Sequence, residues 1–205
     1  MDTTPLIHVV DDDESLRASL LDLLDAAGFE ARGYPSTGAF LLDPPPDRPG
    51  CVLLDVRMPG PSGLDLQAAL QRQGITIPIV FLTGHADVST SVRAMKAGAV
   101  DFLEKPVTRE TLLDAIKHAL ASDSVRRTAR DSVKRRGAKL AVLTAREREV
   151  FDRIVAGKLN KHVADELGIS LRTVKAYRAQ VMEKLGVDTA AELGKFAGEQ
   201  GDVPG

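Results

Sequence analysis

Four acidic residues in a row, Asp11-Asp12-Asp13-Glu14, follow the short apolar run Leu6 to Val10. A further acid, Asp55, closes the run Cys51 to Leu54, Thr83 closes Ile77 to Leu82, and Lys105-Pro106 come just after Val100 to Leu103. Carboxylates packed together repel one another, and either raised pKa values or a hard divalent cation relieves the repulsion. Mg²⁺ suits one or two carboxylates completed by waters and phosphate oxygens, so such a set would draw in a phosphorylated donor. With the cation screening the charge, Asp55 has the chemistry to attack phosphorus as a nucleophile and form an aspartyl phosphate. Lys105 would pair with the phosphoryl oxygens, and Thr83 would hydrogen-bond one of them. Singly, each residue also has an ordinary structural role: a first helical turn for Asp13 and Glu14, an N-cap for Thr83, an exposed turn for Lys105.

For these residues to meet, the runs that precede them must be strands of one sheet. Leu6 to Val10, Ala31 to Tyr34, Cys51 to Leu54, Ile77 to Leu82 and Val100 to Leu103 are short and rich in branched and aromatic residues, the pattern of buried parallel strands. Helical patterns separate them, three ending in Gly28, Gly74 and Gly98. Five strand-helix units predict an open, doubly wound α/β fold with a five-stranded parallel sheet, in which ligands bind beyond the carboxyl ends of the strands. The Pro44-Pro45-Pro46 run reads as an exposed loop before the third strand.

The chain has 205 residues, of which 43% are hydrophobic, enough for ordinary buried cores. Its single cysteine, Cys51, excludes an intramolecular disulfide and fits a reducing cytoplasm. No basic leader precedes the first apolar run and no stretch reaches membrane-spanning length, so neither export nor a membrane partner is expected. The net charge of −2 conceals an asymmetry. Residues 1–120 hold 10 Lys and Arg against 17 Asp and Glu, whereas residues 121–205 hold 17 against 12. An acidic half joined to a basic half suggests a nucleic-acid-binding module attached to an acidic domain.

The motifs Val9-Val10-Asp11-Asp12-Asp13, Leu53 to Gly60, Phe81-Leu82-Thr83-Gly84 and Ala99 to Pro106 closely resemble the receiver domain of bacterial two-component response regulators. The resemblance covers about residues 4–122 and implies a flavodoxin-like fold. It implies that Asp55 is the phosphoacceptor, with a sensor histidine kinase as donor, and that the Mg²⁺ ligands are Asp12 directly, Asp11 mainly through water, Asp55, and the backbone carbonyl of Arg57. Thr83 and Phe102 look like the family's switch pair, although Phe102 equally suits a plain core position on an alternating strand.

Beyond Ala121 the fifth helix thins in apolar content, and no Gly or Pro interrupts Val107 to Arg136, so residues 123–138 read as a helical linker with Gly137 at its boundary. Helical patterns alone follow, at Ala145 to Val155, Lys161 to Leu167, Ser170 to Leu185 and Thr189 to Phe196. They predict a small all-α domain over 139–200. Asn160 to Lys175 reads as a helix, a Gly turn and a second helix capped by Ser170, with Val163, Ala164, Leu167, Ile169, Val174, Val181 and Leu185 spaced for mutual packing. The second helix offers Arg172, Thr173, Lys175, Tyr177 and Arg178 as a recognition helix would. Val174 between them and Lys161 on the preceding helix complete the candidate DNA contacts.

Leu143 to Val150, this helix pair and Lys184-Leu185-Gly186-Val187 resemble the LuxR-type DNA-binding domain of the FixJ and NarL subgroup. Tyr177 departs from the histidine usual there, and Thr144 with Glu147 has the spacing of a capping box. The resemblance implies a transcriptional regulator of double-stranded DNA that dimerises on phosphorylation through the face around helix 4 and strand 5, with RNA polymerase as a further candidate partner. It also implies no enzyme activity beyond the protein's own phosphoryl transfer and dephosphorylation. An aspartate-nucleophile phosphatase would want a second acid two residues after the nucleophile, where Arg57 stands, and no Gly-rich nucleotide loop follows any strand.

Overall fold

The structure, a computed structural model, describes residues 4–84 and 87–198. It forms two compact units that divide after Thr128. The first contains strands β1 (Leu6–Val10), β2 (Glu30–Tyr34), β3 (Gly50–Asp55), β4 (Ile79–Thr83) and β5 (Asp101–Glu104). Between them run helices α1 (Glu14–Ala26), α2 (Thr37–Leu42), α3 (Gly63–Arg72) and α4 (Val88–Lys96), and α5 (Arg109–Ala141) follows. All strands are parallel in the order β2-β1-β3-β4-β5, so the doubly wound expectation holds.

Alternate side chains of each central strand enter opposite cores, because successive Cβ atoms point to opposite faces of a sheet. Ile7, Val9, Cys51, Leu53, Val80 and Leu82 pack with Leu20 and Leu24 of α1 and with Leu112 and Ile116 of α5. Val10, Val52, Leu54 and Phe81 pack with Phe40 of α2 and with Leu66 and Leu70 of α3 on the other face. The helices start where side chains can cap them: Asp13 accepts from Leu16 N at 3.0 Å, and Ser62 and Asp65 form a capping box at α3.

The α5 helix continues through Gly137, which is therefore not an element boundary. A helical glycine costs about 1 kcal/mol relative to alanine. The good helix formers around it, and Lys139, which donates to the Leu185 carbonyl at 2.7 Å, outweigh that cost. The stretch expected to be linker is also anchored at its start: Asp123 is buried and accepts from Gly50 N at 3.2 Å and from Arg127 Nε at 3.0 Å.

The second unit contains α6 (Ala145–Val155), α7 (Asn160–Leu167), α8 (Leu171–Leu185) and α9 (Ala190–Gly198). Residue 200, the expected end of this domain, lies outside the described residues. Thr144 and Glu147 form the anticipated capping box, and Glu147 is buried while accepting from Lys184 of α8 at 2.7 Å. That ammonium, with the Thr144 backbone N–H, holds the Glu147 carboxyl below the usual carboxylate range. No described helix is long and apolar enough to cross a membrane.

Candidate functional site: a carboxylate cluster and a helix pair

Strand register brings the first set of residues together. Val10 is paired with Leu54, so the next residues, Asp11 and Asp55, come side by side where the sheet reverses its winding direction. Asp55 pairs with Leu82, which sets Thr83 one step further along β4, and Lys105 directly follows β5. The Lys105 backbone N–H donates to the Thr83 carbonyl at 2.8 Å, and the Lys105-Pro106 peptide is cis.

Lys105 Nζ reaches both carboxylates, at 2.7 Å from Asp11 Oδ2 and 3.2 Å from Asp55 Oδ2. Asp11 is 2% exposed, and its other oxygen accepts from Asp13 N at 2.9 Å. Asp55, 8% exposed, accepts from Arg57 N at 3.3 Å. Burial pushes the Asp55 carboxyl up from its ordinary value; Lys105 and the Arg57 N–H oppose this, and Asp11 adds to it. Carboxylate oxygens of Asp11, Asp12 and Asp55 all lie within 4.8 Å of one another. An all-oxygen, anionic donor set of this kind fits a hard divalent cation. Thr83 is fully buried, while Phe102 is half-buried with its ring 5.9 Å from that of Phe81.

In the second unit, Gly168 takes the left-handed conformation (φ 64°) that turns the chain from α7 to α8. Ser170 caps α8, accepting from Thr173 N at 3.0 Å. Val150, Val163, Ala164 and Val174 form the core between α6, α7 and α8, with Tyr177 packed at its edge. Lys161, Arg172 and Lys175 are exposed, Thr173 is half-buried, and Arg178 donates to Asn160 Oδ1 at 3.1 Å.

Both units match known families. The response regulator receiver domain matches residues 7–117, and the bacterial regulatory proteins of the luxR family match residues 141–197. Along the whole chain the protein is 40% identical over 198 residues to the transcriptional regulatory protein FixJ of Azorhizobium caulinodans, covering 97% of this chain and 94% of that one. The chain is a response regulator. It is also 44% identical over 191 residues to nodulation protein W of Bradyrhizobium diazoefficiens, covering 93% of this chain and 84% of that protein. Among solved structures it superposes on the response regulator StyR with TM-score 0.87 and 43% identity, covering 96% and 99% of the two chains. Full-length FixJ from B. japonicum gives TM-score 0.60 at 40% identity, covering 99% and 100%.

Within this regulator's receiver domain, Asp11, Asp55 and Lys105 converge in direct contact, with Asp12 beside them. In its LuxR-type domain, Val174 has to be removed from the candidate DNA contacts. Its side chain is fully buried because its position on α8 faces α6 and α7, so it serves packing. Sequence reasoning did not find the close fit of Gly63 against Asp55, where an added Cβ would stand 2.2 Å from the Asp55 carbonyl oxygen. Nor did it find Arg17, whose guanidinium donates to the Asp11 carbonyl at 2.7 Å. Both depend on loop geometry that no residue pattern announces.

Proposed function

We propose that this response regulator accepts a phosphoryl group from a sensor histidine kinase on Asp55 and answers by binding promoter DNA through α8. The observation that carries the reading is the convergence of Asp11, Asp12, Asp55 and Lys105 beside one strand end. In the transfer, the phosphorus–nitrogen bond of a kinase phosphohistidine breaks as an Asp55 oxygen forms the new phosphorus–oxygen bond. Mg²⁺ held by Asp11, Asp12, Asp55 and the Arg57 carbonyl would supply charge neutralisation for the incoming phosphoryl group. Lys105 is placed to leave its ion pair with Asp55 and meet the phosphoryl oxygens, and Thr83 is the hydroxyl on the neighbouring strand that joins it. No other reaction is assigned to the protein.

The tagged state carries extra negative charge that Lys105 and Thr83 bind better than the free carboxylate, and that difference shifts the conformational equilibrium. A full shift from 1:99 to 99:1 would need about 5.5 kcal/mol of differential binding. Phe102, half-buried on β5, is the ring that would follow Thr83 inward. Dimerisation through the α4 and β5 face would then present two recognition helices to two half-sites. A cytoplasmic location and contact with RNA polymerase belong to the same reading. Capture of genomic fragments by phosphorylated and unphosphorylated protein tests it. Enrichment of defined fragments that depends on Asp55 supports the reading, and identical fragment sets from both forms reject it.

A further inference from the structure

The net positive charge of the second half lies ahead of the helix-turn-helix domain, although α8 itself is basic, with Arg172, Lys175, Arg178 and Lys184 against Glu183. Residues 140–205 hold 10 Lys and Arg against 10 Asp and Glu, whereas residues 121–139 hold 7 against 2 and so account for the whole excess. The helix-turn-helix unit also ties up much of its basic complement internally. Arg146 pairs with Glu149, Arg148 with Asp152, Arg153 and Lys158 with Glu166, and Lys184 with Glu147. Sequence-independent affinity for DNA grows with the number of phosphates neutralised, and electrostatic steering grows with the local field. Beyond α8, residues 140–205 add no net positive charge to either effect, since the stretch as a whole sums to zero.

The α5 helix adds to the charge of α8. Arg127 is tied to Asp123 and Asp47, and Lys139 to the Leu185 carbonyl. Between these two anchors lie Arg130, Lys134, Arg135 and Arg136 against the single acid Asp131. Arg130 and Arg136 make interactions of their own, so the surface depends on Lys134 and Arg135. Lys134 and Arg135 are exposed, as is Val133 at 54%, and no apolar stripe on this stretch packs into either core. Like charges four residues apart, as at Arg126 and Arg130, Arg130 and Lys134, or Arg135 and Lys139, weaken a helix. A helix evolved only as a spacer would mix charges along its faces.

We propose that residues 129–136 of α5 form a second DNA-binding surface that takes the phosphate backbone of duplex DNA without reading its sequence. The inference rests on the proposed DNA-binding function and divides its labour. The recognition helix selects the site, and the α5 stretch provides salt-sensitive affinity on whatever duplex is present.

The test titrates the full-length protein into a labelled duplex of arbitrary sequence, into a single-stranded RNA of the same length, and into a genomic fragment that the protein selects, over a series of salt concentrations. Wild type is compared with the double variant Lys134→Gln/Arg135→Gln, whose glutamines keep helix propensity. The slope of log affinity against log salt should become shallower by about 0.9 for each phosphate that the variant no longer neutralises. Both duplexes should weaken by the same factor. An unchanged slope overturns this inference alone if Lys175→Ala still weakens the selected fragment. If Lys175→Ala has no effect on that fragment either, the underlying DNA-binding function falls with it. A slope change confined to single-stranded RNA overturns the choice of duplex DNA as partner.

Discussion

Gly63, the first residue of α3, lies against Asp55 so closely that a Cβ there would stand 2.2 Å from the Asp55 carbonyl oxygen. Its backbone N–H donates to the Val56 carbonyl at 3.0 Å, so the start of α3 and the end of β3 fix each other. Gly63→Ala must push this backbone apart. We predict a loss of about 1–3 kcal/mol of stability, the range of overpacking substitutions, measured by chemical denaturation. Phosphorylation at Asp55 should slow in the same variant, because the shifted backbone carries the phosphoacceptor.

His8 gives the receiver unit a pH dependence. It is buried on β1, with Nδ1 3.0 Å from the Tyr34 hydroxyl and its ring edge-on to Phe40. Burial, helped by Arg32, holds its pKa at about 4, against an ordinary 6.5. Between these two values the unfolded chain binds the proton and the folded chain does not. The stability His8 contributes is therefore fully present above 6.5 and is lost as pH falls towards 4. The full loss is on the order of 3 kcal/mol. Denaturation midpoints across that window should fall for wild type and stay flatter for His8→Gln.

Lys175 and Val174 adjoin on α8 yet should behave oppositely. Lys175→Ala removes an exposed cation and should weaken the selected DNA by about 1–3 kcal/mol, with stability unchanged within about 0.5 kcal/mol. Val174→Ala opens a hole in a fully buried position and should cost about 2 kcal/mol of stability. Binding titrations beside thermal melts separate the two. Arg178→Ala should do some of both, because it also releases Asn160.

The parts that were legible in the sequence are those written in short-range patterns. Parallel strands buried on both faces read as continuous apolar runs, which is why β1, β3 and β4 stand out. The edge strand β2, Glu-Ala-Arg-Gly-Tyr, shows far less. The acids, Thr83 and Lys105 were legible because ligands gather at strand ends. Asp123 was not, since its partner Gly50 is 73 residues away and a lone polar residue on a basic helix gives no sign of burial. Gly137 misled for the opposite reason: a glycine usually marks an end, yet its neighbours and Lys139 carry the helix past it. Charge summed over half the chain also concealed that α5 carries an excess besides that of the reading helix, while residues 140–205 as a whole sum to zero.

Labelling at Asp55 tests the central claim most directly. The intact protein is incubated with acetyl phosphate and Mg²⁺, and its mass is read before and after. One phosphoryl group should be gained by wild type, none by Asp55→Asn, and little when Mg²⁺ is chelated. A phosphoryl group that still appears on Asp55→Asn, or appears undiminished without the cation, contradicts the account.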